Sequence, residues 1–154
     1  MSLTWNGGSA KELVIAIAME GLWLIGEDTV REAMNNIPLD TGTLRRSSAV
    51  TAGDLPDPEK AYAEAKARTQ QSKKTRRFYS KRPSIYVSYN TPYAAHLHED
   101  LTWKPRDWKY NTKGNRIPKP AVGGPKWLEL ALVKTWARRD RMFARARRKI
   151  EGSK

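Results

Sequence analysis

His96 and His98 are the whole imidazole inventory of this chain, and both fall in the run Tyr93 to Glu99 with a carboxylate directly after them. Imidazole nitrogens and a carboxylate are suitable zinc ligands, so an H-x-H-E cluster is where metal-dependent hydrolysis would be sought. Which groups converge depends on the backbone. In an extended segment His96 and His98 share a face, whereas a helical turn puts Tyr93, His96 and Leu97 together. The chain has no third histidine and no cysteine, and carboxylates alone select a metal poorly. Nor is there a nucleophile beside a base or a glycine-rich phosphate loop. A nuclease or hydrolase built on His96, His98 and Glu99 is therefore the weakest reading, and no catalytic, metal or cofactor residue is assigned. His98 and Glu99 are expected to make structural hydrogen bonds instead.

Two stretches must position these residues. Ile85, Val87 and Tyr89 alternate with Tyr86 and Ser88, the period-2 pattern of a half-buried strand. Pro92 lacks an N–H and forces the ladder to stop, so Tyr93 begins a new element. Upstream, Pro38 and the Asp40-Thr41-Gly42 turn combine a carboxylate that accepts backbone N–H groups with a glycine free to take positive φ.

Together they read P-x-D-T-G-x-L-R-x-S (Pro38, Asp40, Thr41, Gly42, Leu44, Arg45, Ser47), then a strand, then T-P-Y-A-x-x-x-H-E (Thr91, Pro92, Tyr93, Ala94, His98, Glu99). This pattern resembles the minor capsid, tail-completion and neck proteins of long-tailed bacteriophages, over residues 9 to 150 with a variable middle. The resemblance implies that the matching tyrosine and acidic residue belong to the fold's signature and have no catalytic role. It implies a cyclic homo-oligomer, six- or twelve-fold, in the virion neck between head and tail, assembled in the bacterial cytoplasm. The implied neighbours are portal or adaptor, head-closure, and tail-terminator or tail-tube proteins, with genomic DNA passing through the lumen.

A chain of 154 residues sets a prior of one domain with a serviceable core. Without cysteine there is no disulfide framework, which suits a cytoplasmic product. A net charge of +13 and a pI near 10.2 attract polyanions or acidic protein surfaces, and also serve solubility. The apolar run Leu13 to Ile25 is only 13 residues long, is interrupted by Glu20 and lacks signal-peptide flanks. It reads as a buried helix, with no membrane partner expected.

Residues 1 to 8 form an arm whose Trp5 docks on a neighbour or on its own domain. Ser9 and Glu12 make a capping box for a helix to about Asn36. Its first half is apolar in nearly every direction, so it must be covered on more than one side: by the sheet, and by a second surface such as a neighbouring subunit. Leu44 to Ala52 reads as a strand with Arg45 and Arg46 at its mouth, either solvated or paired across a subunit interface. Asp57 and Pro58 start a helix over residues 59 to 71 within an insertion at 54 to 82. The insertion ends in Lys73, Lys74, Arg76, Arg77, Lys81 and Arg82, interleaved with Phe78 and Tyr79, as loop charges or a phosphate grip.

Residues 100 to 124 lack periodicity but carry Trp103, Trp108 and Tyr110, which predicts a long extended interaction loop. A last helix runs from Pro125 to about Glu151, with Trp127 and Trp136 sealing the core's edge. From Lys134 to Lys154, nine basic residues face only Asp140 and Glu151, a local +7 beyond what a helix terminus uses. Arg138, Arg139, Arg141, Arg145, Arg147 and Arg148 then line a DNA channel or meet an acidic ring.

The expected fold is α+β, a long N-terminal helix and a C-terminal helix packed on a small antiparallel sheet, with long extended loops. The expected function is a ring-forming neck subunit. The alternative is a free, sequence-independent nucleic-acid-binding protein, which lacks any recognised reading motif.

Overall fold

In the computed structural model the described residues are 7–38, 42–67, 73–75, 83–104, 108–110, 112–118 and 123–152. Helix α1 (Gly7–Ala33) begins two residues ahead of the expected cap at Ser9 and is continued by turns through Asn36. Pro38 then blocks it. Two glycines adapt the helix to its neighbours. A Cβ on Gly26 would lie 3.0 Å from Val50 and Ile85 of the sheet, and one on Gly21 would lie 2.2 Å from the Phe143 ring. Side-chain-free surface is what lets both partners approach this closely.

The short helix α2 (Thr43–Arg46) replaces the start of the expected strand over Leu44 to Ala52. Gly42 at φ 77° turns the chain into it, and the Ser47 hydroxyl closes it by donating to the Leu44 carbonyl at 2.8 Å. Strand β1 (Ser48–Ala52) follows, buried at all five positions, as a central strand must be. Helix α3 (Pro58–Lys66) is capped as expected, the Asp57 carboxylate accepting from the Glu59 and Lys60 N–H groups, but ends at Lys66 and not near 71.

Strands β2 (Lys73–Thr75) and β3 (Ile85–Tyr89) flank β1 in the order β2-β1-β3. The β1–β3 pair is antiparallel, with Val50 opposite Val87. The β1–β2 pair is parallel, Val50 opposite Lys74, so the sheet is mixed and not wholly antiparallel. Helix α4 (Ala94–Glu99) resolves the histidine run as helical. Within the expected loop, β4 (Trp108–Tyr110) and β5 (Arg116–Pro118) form a two-stranded antiparallel ribbon.

The C-terminal helix is two helices, α5 (Trp127–Trp136) and α6 (Arg139–Glu151), broken at Ala137 and Arg138. Both pack on α1. From α5 the buried face is Trp127, Ala131 and Thr135, at i, i+4, i+8, and from α6 Ala146 is fully buried. The break lets α6 lay Phe143 into the space above Gly21. Helix α1 is thus an inner layer, with the sheet on one side and the chain's own α5 and α6 on the other. The chain's own α5 and α6 supply a second cover, while Val14 remains 65% exposed and Leu13, Ile15 and Ile17 are only half-buried. The architecture is α+β, and no helix among the described residues is long and apolar enough to cross a membrane.

Candidate functional site

The two signature stretches converge. Asn90, just past β3, donates from its backbone N–H to the Ser47 carbonyl at 3.2 Å and from Nδ2 to the same oxygen at 2.9 Å. Leu44 and Ala94, one from each stretch, share a buried cluster with Ala33, Ile37, Trp127 and Ala131. The Trp127 indole is the hub: the Tyr89 ring meets it edge-on at 6.2 Å and the His98 ring at 4.8 Å. Burial pushes the Tyr89 phenol well above its ordinary pKa, and the nearby Arg45 charge only partly offsets this. Pro38 closes the cluster's far end, its backbone lying so near Gly123 that a Cβ there would come within 2.5 Å.

Helicity at α4 separates the two histidines. His96 is exposed, while His98 turns inward and bonds Glu99 Oε1 through Nδ1 at 2.8 Å. Lys126, from the loop before α5, completes the group. Its backbone N–H donates to the His98 carbonyl at 2.8 Å, and its ammonium bonds Glu99 and, at 3.2 Å, Glu129. His98, Glu99 and Glu129 therefore offer ligand atoms within 4.8 Å of one another. The chain's own ammonium already sits between the two carboxylates, which makes the cluster an ion-pair network and a poor metal cradle, although His98 Nε2 is buried without a hydrogen-bond partner among the described residues. Glu99 is held below the usual carboxylate range by the Lys126 hydrogen bond first and His98 second; Lys126 is raised by Glu99 and then Glu129. This bears out the structural hydrogen bonds expected of His98 and Glu99. Lys126 and Glu129 escaped sequence reasoning, their i, i+3 spacing being the one local signal.

The expected interface residues divide. Arg46 is spent inside the chain, its Nε donating to the Ala65 carbonyl at 3.0 Å and so closing the last turn of α3. Arg45 and Trp103 are half-buried, and Pro92 and Tyr93 are exposed at the mouth of α4. Trp136 is 47% exposed and does not seal the core; the Arg139 guanidinium lies over its ring at 5.6 Å. Trp5, Asp40, Thr41, Arg76 and Arg77 lie outside the described residues, as do the side chains of Lys73, Lys74, Trp108 and Tyr110.

The C-terminal arginines also divide. Arg138 pairs with Asp28 at 2.9 Å and Glu32 at 3.3 Å, and Arg147 pairs with Glu151 at 2.8 Å. Lys134 joins Glu32 at 3.1 Å, and the two cations hold that carboxyl below its usual range, Lys134 contributing most. Arg141, Arg145 and Arg148 have no anionic partner among the described residues and share one face of α6 at i, i+4, i+7. On α5 the outward face is largely apolar: Leu130, Leu132, Val133 and Trp136 are all exposed, alongside Glu129 and Lys134. Comparison with protein-family models, curated proteins and solved structures returns no match to this chain.

Proposed function

We propose that this chain is a non-catalytic structural subunit that assembles with copies of itself and presents a basic face to a polyanion, in the manner of a phage neck or tail-completion ring. One observation carries this reading: α5 turns a set of large apolar side chains to solvent while the adjoining α6 turns out three arginines with no anionic partner among the described residues. An exposed stripe of large apolar side chains is a protein-contact surface, and unpaired guanidiniums are a phosphate-contact surface. The signature motif is compatible with this reading, since Leu44 and Ala94 are spent in a core cluster and Glu99 in an ion pair with Lys126. In a virion neck the stripe meets the next copy in a closed ring, with head and tail proteins above and below and DNA within.

Electron microscopy with sedimentation of the purified protein tests it. Rings of six or twelve copies with a central hole are expected, and Leu132→Asp should reduce them to monomers. A chain that stays monomeric at every concentration, with or without DNA, overturns the ring. The α6 arginines favour a second reading, a free sequence-independent nucleic-acid-binding protein. A monomer that binds short duplexes tightly at physiological salt selects it.

A further inference from the structure

Between α1 and α6 lies a cleft of about 310 Å³ in which Asp28 and Arg31 face Arg138, Arg141, Arg145 and Arg148. Met142 is the apolar residue of its lining. Five guanidiniums thus surround one carboxylate, and that carboxylate is already committed: Asp28, almost fully buried, pairs with Arg31 and, at 2.9 Å, with Arg138. The pairing ties Arg31 and Arg138, both solvent-exposed, to α1 beside the cleft. The other three have no anionic partner among the described residues and converge on the same space from successive turns of α6.

Solubility does not explain this arrangement, because charges placed for solubility repel one another and spread apart. Guanidiniums gathered around a concave space need a counter-anion, and their planar donor forks match the oxygens of phosphate and carboxylate. A single carboxylate would leave most of the excess charge unbalanced. A group with several oxygens and more than one negative charge fits better.

We infer that the α1–α6 cleft is a binding site for phosphate groups, taken either from a nucleic-acid backbone or from a free polyphosphate anion. Arg141, Arg145 and Arg148 supply the direct contacts, and Asp28 pairs with Arg31 and Arg138 beside them. The inference rests on the polyanion half of the function proposed above and not on the ring. A monomer that still takes phosphate here removes the ring and keeps the site, so the two fail separately.

The test is calorimetric titration of the full chain with sodium tripolyphosphate at constant ionic strength. It compares wild type with an Arg141→Ala/Arg145→Ala/Arg148→Ala triple variant and with a Lys11→Ala/Lys66→Ala/Lys104→Ala control. The control removes the same charge from exposed positions elsewhere. All six side chains are exposed, so both variants should fold, and circular dichroism melting checks this. Saturable binding is expected, weakened at least about tenfold in the cleft variant and little changed in the control. Equal weakening in both variants, or no saturable binding by wild type, overturns the site. A short single-stranded oligonucleotide distinguishes the sources. If tripolyphosphate displaces it and the cleft variant loses it, the site takes backbone phosphate; if the oligonucleotide binds both proteins alike, the site takes free anions.

Discussion

Lys126 ties the signature's His98 and Glu99 to the start of α5. It is a non-glycine residue at φ 54°, a conformation that L side chains adopt at a cost. Three bonds compensate, one to the His98 carbonyl and two to the carboxylates of Glu99 and Glu129. Because Glu99 has a lowered folded pKa, its contribution to stability is complete above the ordinary glutamate value of about 4.3 and fades as pH falls through the folded value. Glu99→Gln should therefore lose stability at neutral pH and show a shallower decline on acidification. Melting temperatures of both proteins from neutral pH to below pH ~3 check this. Parallel curves would mean that the Glu99 pairing contributes nothing. The sequence disclosed only half of this knot. His98 and Glu99 stand side by side in a visible motif, but Lys126 and Glu129 arrive from beyond a long loop. Their pairing depends on a left-handed turn that a lysine does not advertise.

At the scale of elements, what was legible had short range. The period-2 strand at Ile85–Tyr89, the Asp57-Pro58 helix start and the stop at Pro38 each depend on residues within a few positions, and each is present. The overly apolar character of α1 was also legible, but not its reason. A helix covered on two sides looks the same whether the second cover is another subunit or the chain's own C-terminus. The break at Ala137 and Arg138 was hidden because no glycine or proline marks it; it serves tertiary contact, letting α6 return onto α1. Gly21 makes that contact possible. At an exposed helix position Gly→Ala stabilises by about 1 kcal/mol, but here the new methyl would collide with the Phe143 ring. Gly21→Ala should instead destabilise by about 1–3 kcal/mol in urea unfolding, as overpacking does. Adding Phe143→Leu should recover part of the loss, a coupling that only touching residues show. A Gly21→Ala protein more stable than wild type would mean that α6 does not lie against this face.

For the whole molecule, charge and greasiness pull association in opposite directions. Each copy carries +13, so copies brought together repel, while in the proposed assembly the exposed apolar residues of α5 would draw them together without regard to charge. Salt shortens the reach of the repulsion, from about 10 Å at 0.1 M to about 3 Å at 1 M, and leaves apolar contact intact or strengthened. Self-association through α5 should therefore tighten as salt rises. Nucleic-acid binding through α6 should weaken over the same range, because it depends on releasing counterions from phosphate. In the proposed assembly a bound polyanion would substitute for salt by neutralising the copies it contacts, so assembly and polyanion binding would support each other at low ionic strength. Sedimentation velocity and oligonucleotide binding across one salt series measure both slopes. Opposite signs fit an apolar seam between copies with a basic face beside it. If both fall together, the copies are held by ion pairs, and the stripe of Leu130, Leu132, Val133 and Trp136 is not the seam.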